Sequence, residues 1–195
     1  MSRKCCRCSA RGFLLTICFL QLISSMERQV FDFLGQMWGP IVFNFFSTIF
    51  TLIGIFGVYY RRPCHLVLYT LWQMISIVWN LFLIGVYLEI QPLHHDNSHH
   101  YLNLGTGSRS WWESNGPNCE PQYNVSAAVY GYYEFRPISV QGCLLPFYAI
   151  ETAQAAVHLV LTVFGFVMSF YLLISCCVKT RDDSCEYLTV SCHEP

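Results

Sequence analysis

TAQAAVHLVLTVFGFVMSFYLLISCCV, residues 152–178, contains no Asp, Glu, Lys or Arg. At 1.5 Å per residue a helix of this length is about 40 Å long, more than the roughly 30 Å of hydrocarbon in a bilayer. Residues 12–26, 35–60 and 64–88 are free of charge in the same way, and only the first of these is short for a span. Four charge-free runs predict an all-α membrane protein, a four-transmembrane-helix bundle with one extracellular loop between spans three and four. Composition agrees, because 12% of the 195 residues are charged where a soluble domain carries about 25%.

The first run has a second reading. Arg3, Lys4, Arg7 and Arg11 precede an apolar core at 13–23 followed by Ser24 and Ser25, as in a signal peptide. The stretch after it, 26–37, is too brief to be a mature extracellular domain, so the run is taken as the first span, tilted or in a locally thinned bilayer. The expected boundaries are a cytoplasmic amino terminus at 1–11, span one at 12–25, a short extracellular turn at 26–39 and span two at 40–60. A cytoplasmic turn at 61–64, span three at 65–88, an extracellular loop at 89–145, span four at 146–178 and a cytoplasmic tail at 179–195 follow. This arrangement puts Arg3, Lys4, Arg7, Arg11, Arg61, Arg62, Lys179 and Arg181 inside and Arg28, Arg109 and Arg136 outside, the bias of the positive-inside rule.

Cysteine placement tests the topology separately, since disulfides belong to the oxidising side. Of eleven cysteines only Cys119 and Cys143 fall in the outer loop, and they are expected to pair. Closing that 24-residue separation constrains the unfolded loop by about 3 kcal/mol. Asn124, Val125 and Ser126 form an N-glycosylation sequon in the same loop, and the residues 122–136 alternate as a hairpin would. Cys5, Cys6, Cys176 and Cys177 flank inner membrane ends, where palmitoylation is common. Zinc is a rival reading for Cys5, Cys6 and Cys8, which lack the C-x2-C pairing and second ligand set of a structural site. His94, His95, His99 and His100 could offer ligands to zinc or copper but are flanked by Asp, Asn and Ser with no second-shell partner evident, so no metal or cofactor is expected. Trp111 and Trp112 fit either a headgroup belt or a protein interface.

Span four carries Glu151, Gln154, His158, Thr162, Gly165 and Ser169 at spacings of 3, 4, 4, 3 and 4, one polar and small helix face. Such faces pack helices closely and hydrogen-bond across them. Packing is favoured over a proton or cation path through Glu151 and His158, because the other spans supply no acidic partner at depth. The stripe is also the longest face on which a single-span partner could lie. Net charge of −1 gives no reason to expect nucleic acid, and no nucleophile elbow, P-loop or H-E-x-x-H motif is present, so the chain is expected not to be an enzyme.

Particular segments resemble the Na,K-ATPase beta-subunit-interacting protein family. They are Leu20–Gln21–Leu22, the run ERQVFDFLG at 27–35, Trp38, Pro40, Ile41, Asn44 and Phe45. Trp79 and Asn80, Tyr87 to Glu89, and Arg109 to Trp112 with Asn115, Gly116, Pro117 and Cys119 continue the likeness, which covers residues 1 to about 119. Ser2, Asn118, the short tail and the histidine cluster depart from the family pattern. The resemblance implies a plasma-membrane protein that associates with the sodium pump's beta subunit and modulates the pump. A tetraspanin-like scaffold shares the architecture, but its loop needs a Cys-Cys-Gly motif that is missing here. A claudin-like reading fails because its large loop follows the first span, and a small ion-channel subunit rests only on the span-four stripe.

The loop is expected to be extracellular and glycosylated. Endoglycosidase treatment should raise gel mobility of the wild type and leave Asn124→Gln unchanged; loop peptides protected from protease on intact cells would overturn the topology.

Overall fold

The computed structural model of the chain describes residues 2–88, 102, 104, 106, 110–123 and 137–191, with side chains from 9–88, 102–106 in part, 110–122 and 140–175. Asn124, Arg109 and the four loop histidines lie outside the described residues, as do the side chains of Cys5, Cys6, Cys176 and Cys177. The elements are α1 (Ser2–Gly35), α2 (Trp38–Tyr59), α3 (Pro63–Tyr87), a single turn α4 (Trp112–Asn115), β1 (Glu120–Tyr123), β2 (Pro137–Gln141) and α5 (Phe147–Ser191). Ser9–Gly35, Trp38–Tyr59, Pro63–Tyr87 and Phe147–Ser175 are each long and apolar enough to cross a membrane.

The expected turn at 26–39 is not a loop. Helix α1 runs on through Glu27, Arg28 and Asp32 to Gly35, and Trp38 already opens α2. Charged residues can stay on a helix at this depth because they pair with one another, as described below. What remains of the turn is closed by backbone bonds. Gln36 adopts φ 54°, its N–H donates to Phe33 O (3.1 Å), and Met37 N–H donates to Asp32 O (3.0 Å). This is the Schellman arrangement, which satisfies carbonyls a helix end leaves open. The α2–α3 turn repeats it, with Arg61 at φ 56° and Arg62 N–H donating to Gly57 O at 3.0 Å.

The extramembrane segment holds an antiparallel pair, β1 with β2, in which Glu120 faces Gln141 and Gln122 faces Ser139, with an irregularity at Gln122/Tyr123. Its strands lie at and beyond the ends of the 122–136 stretch where alternation suggested a hairpin. Cys119 and Cys143, just outside the pair, are joined by a disulfide with Cα atoms 4.1 Å apart. Asn118 sits at φ 62°, a conformation asparagine tolerates, and its Nδ2 donates to Gly142 O at 3.1 Å.

The chain forms two compact units. The first comprises residues 1–24, 47–78 and 159–195. Its apolar centre is Leu14, Cys18, Val58, Leu66, Tyr69 and Leu172. Beside them Gln21 Nε2 donates to Gln73 Oε1 (3.1 Å) and to Leu161 O (3.2 Å), and Tyr69 Oη donates to Gln21 Oε1 (2.8 Å). Thr70 Oγ1 donates to Ser169 Oγ at 2.9 Å, and Trp72, stacked on Phe50, donates to Ser47 Oγ at 3.2 Å. Two glycines make room for the buried Tyr69. A Cβ on Gly54 would lie 2.5 Å from the ring, and one on Gly165 would lie 2.6 Å from the hydroxyl.

The second unit comprises 25–46 and 79–158. Met37, Leu83, Val86, Tyr87, Leu102 and Ala155 form its apolar cluster, and Phe43 stacks on Trp79 at 4.7 Å. In both units the outward side chains are Phe, Leu, Ile and Val, while Gln, Asn, Ser, Thr and charged groups point inward. That is the reverse of a water-soluble protein and suits a hydrocarbon surround.

Gly54→Ala should destabilise the protein by about 1–3 kcal/mol, because the new methyl meets the base of a buried ring. Gly85→Ala meets nothing within 4 Å and should be neutral or gain up to about 1 kcal/mol from helix propensity. Unfolding midpoints in mixed micelles of mild and denaturing detergent measure both; equal midpoints for Gly54→Ala and wild type would show that the Tyr69 contact does not limit packing.

Candidate functional site

Helix spacing brings Arg28 and Asp32 to one face of α1, four residues apart. Arg28 Nε lies 3.8 Å from Asp32 Oδ2, and its Nη2 lies 3.9 Å from Glu151 Oε2 on α5. All three residues are at least 95% buried. Asn44 on α2 donates from Nδ2 to Asp32 Oδ2 at 2.6 Å. Ser110 donates its hydroxyl to Glu151 Oε1, and the same Oγ accepts the N–H of Trp112 at 3.3 Å. The chain entering α4 is thereby tied to the charged group. Phe31 reinforces this, with its ring 5.3 Å from Trp111 and 4.4 Å from Trp112.

A neighbouring set is built on His158. Its Nε2 is 3.0 Å from Ser25 Oγ, and its Nδ1 is 3.4 Å from Asn80 Nδ2. With the hydrogen on Nε2, the imidazole donates to serine and accepts from the amide, which satisfies both nitrogens. Serine, histidine and an amide in line suggest a nucleophile, a base and its orienting group. Here each is at least 95% buried, and the three hold α1, α3 and α5 together. Among the described residues no group of three or more His, Cys, Asp or Glu is placed to hold a metal ion.

The span-four stripe divides between the two units. Glu151 joins the charged cluster, Gln154 donates to Glu27 Oε1 at 3.3 Å, and His158 binds Ser25 and Asn80. Thr162 is fully buried, Gly165 abuts Tyr69, and Ser169 accepts from Thr70. The expectation that this stripe faces a partner's helix is corrected, since its polar and small groups are already engaged by the chain's own helices. The outward residues of this helix are Val157, Val160, Phe164 and Val167.

Arg28 and Asp32 were missed as site residues because charges flanking a short span read as a turn. The signal that finds them is their four-residue spacing within 27–35, with Phe31 and Leu34 continuing a helical pattern. The absence of an acidic partner for Glu151 was inferred from the same misplacement. Asp32 supplies one.

Removing the guanidinium with Arg28→Met leaves the buried Asp32 and Glu151 pair without its cation and should cost about 3–5 kcal/mol. The loss should shrink when Glu151→Gln is added, and a double-mutant cycle in mixed-micelle unfolding measures the coupling. Additive effects would show that Arg28 and Glu151 do not interact.

Residues 5–192 match the family described as NKAIN, Na,K-Atpase Interacting protein. The chain is 43% identical over 190 residues to a Drosophila melanogaster protein named sodium/potassium-transporting ATPase subunit beta-1-interacting protein. The alignment covers 97% of this chain and 28% of that relative, so the chain spans under a third of its relative's length. No solved structure matches it. Both matches extend over nearly the whole chain, and the chain belongs to the Na,K-ATPase-interacting protein family.

Proposed function

We propose that the chain is a non-enzymatic, multi-pass protein of the plasma membrane that binds the beta subunit of the Na,K-ATPase and modulates the pump. Support for the partner comes from the name of the relative that is 43% identical across nearly all of this chain. Both termini lie in the cytoplasm in this reading, which rests on eight of eleven basic residues falling on that side. The segment between spans three and four is then extracellular, with a glycan on Asn124 and the Cys119–Cys143 bridge, and Cys5, Cys6, Cys176 and Cys177 are palmitoylated at the inner face.

The observation that directs the choice of surface is the use of the polar helix faces inside the chain. With Thr162, Gly165 and Ser169 engaged, a mixed polar and aromatic surface among the described residues is the segment 111–117. There Trp111, Trp112, Glu113 and Ser114 are partly exposed and Asn115 is exposed. Tryptophans rimmed by polar groups suit an interface core. Ser110 and the disulfide hold this segment at both ends, which lowers the ordering cost of binding.

Co-purification with the beta subunit from mild detergent tests the reading. Trp111→Ala with Glu113→Ala and Asn115→Ala should lower capture by at least about tenfold, the effect of losing roughly 1.4 kcal/mol. Val160→Ala, Phe164→Ala and Val167→Ala together should leave it near wild type. The opposite pattern moves the interface into the membrane, and undiminished capture by both sets would remove this surface from consideration.

A further inference from the structure

The charged cluster of the second unit has an unequal count: one guanidinium, Arg28, faces two carboxyl groups, Asp32 and Glu151. Among the described residues, every other group turned toward it is uncharged or titrates only by gaining charge. Asn44 comes from α2 and Ser110 from the segment before α4. Among the described residues, Tyr87 on α3 and His158 on α5 are the other titratable groups within electrostatic reach. Glu27, by contrast, is exposed and bonded to Gln154.

Geometry shows that Arg28 does not neutralise both acids. Arg28 is 3% exposed, yet its Nε and Nη2 have no hydrogen-bond acceptor among the described residues. Both carboxylates stand at 3.8–3.9 Å, outside bonding distance for N–H···O contacts. Asp32 lies three residues from the end of α1 and Glu151 four from the start of α5, so the cluster is roughly one helical turn inside the helix ends. Ser110, bonded to Glu151, is itself 5% exposed. A surplus negative charge enclosed in this way is costly, and a buried carboxylate without its own cation takes a proton instead.

We propose that Asp32 and Glu151 form a binding site for one proton, held by the pair as a unit beside Arg28. The bound proton brings the cluster to neutrality, with one carboxylate opposite the guanidinium and one carboxylic acid. The assignment to the pair, and not to one residue, follows from their sharing a single cation. Asp32 has an amide donor in Asn44 and Glu151 a hydroxyl donor in Ser110, so each acid has one oxygen engaged by a neutral group. The site is independent of the partner proposed above, and nothing in its test depends on the pump.

Infrared spectroscopy of the purified chain in lipid nanodiscs at neutral pH tests this. Solvent-exposed carboxylates are ionised there, so a carboxylic-acid C=O stretch that shifts in D2O reports an enclosed, protonated acid. Wild type should show this band, and it should disappear or shift in Asp32→Asn or Glu151→Gln while surviving unchanged in Glu120→Gln, whose side chain is exposed. If those variants fail to fold, wild type carrying ¹³C-carboxyl aspartate in one sample and ¹³C-carboxyl glutamate in another should shift the band in at least one. A wild-type spectrum with no acid band, or a band that neither label nor variant moves, overturns the proposal.

Discussion

Hydrocarbon offers a polar side chain no hydrogen-bond partner, so each Gln, Asn, Ser, Thr and charged residue in the four spans must be satisfied by the protein itself. The rest of the structure follows from that demand. Gln21 on α1 reaches Gln73 and Tyr69 on α3 and the Leu161 carbonyl on α5. Apolar contacts alone could not select this packing, because a leucine gains nothing by leaving lipid for another leucine. Directional bonds and close approach at glycine set it. Gly54 and Gly165 are where they are because the Tyr69 ring and hydroxyl occupy the space a Cβ would need.

The two units meet the demand with different chemistry. The first uses neutral amides and hydroxyls, in which loss of one bond costs little more than about 1 kcal/mol in a membrane setting. The second encloses full charges, for which an unmatched partner is far more expensive. Expense of that kind is seldom kept for packing alone, and an ionisable group inside a span is a functional candidate by default. The same cluster also anchors the extramembrane chain through Ser110, so the bonding state of Glu151 and the position of Trp111 and Trp112 are physically linked.

This linkage bears on how a small membrane protein can present a recognition surface. A segment with a two-stranded sheet and few core residues is marginal on its own. Here it is held by a disulfide at one end and by a buried hydrogen bond to a transmembrane helix at the other. Attachment to the spans takes the place of a large core in the described part of this segment. The outward helix faces, by comparison, carry simple aliphatic and aromatic side chains suited to lipid.

Four spans and the family were legible in the sequence, because a lack of charge over some twenty residues has one common physical cause and the run at 27–35 is distinctive. The polar stripe on span four was legible as well, since helical spacing alone puts Glu151, His158, Thr162, Gly165 and Ser169 on one face. What that face touches was not legible. Periodicity says that residues share a side and is silent on which helix lies opposite, so the stripe read equally well as a surface for a partner. Tertiary structure also decided the fate of Arg28 and Asp32. By local rules two charges after a short apolar run end a span, and only the approach of Glu151 and Asn44 from other helices supplies the compensation that lets α1 continue to Gly35. The cost of a buried charge depends on partners distant along the chain, and that dependence is what a one-dimensional reading lacks.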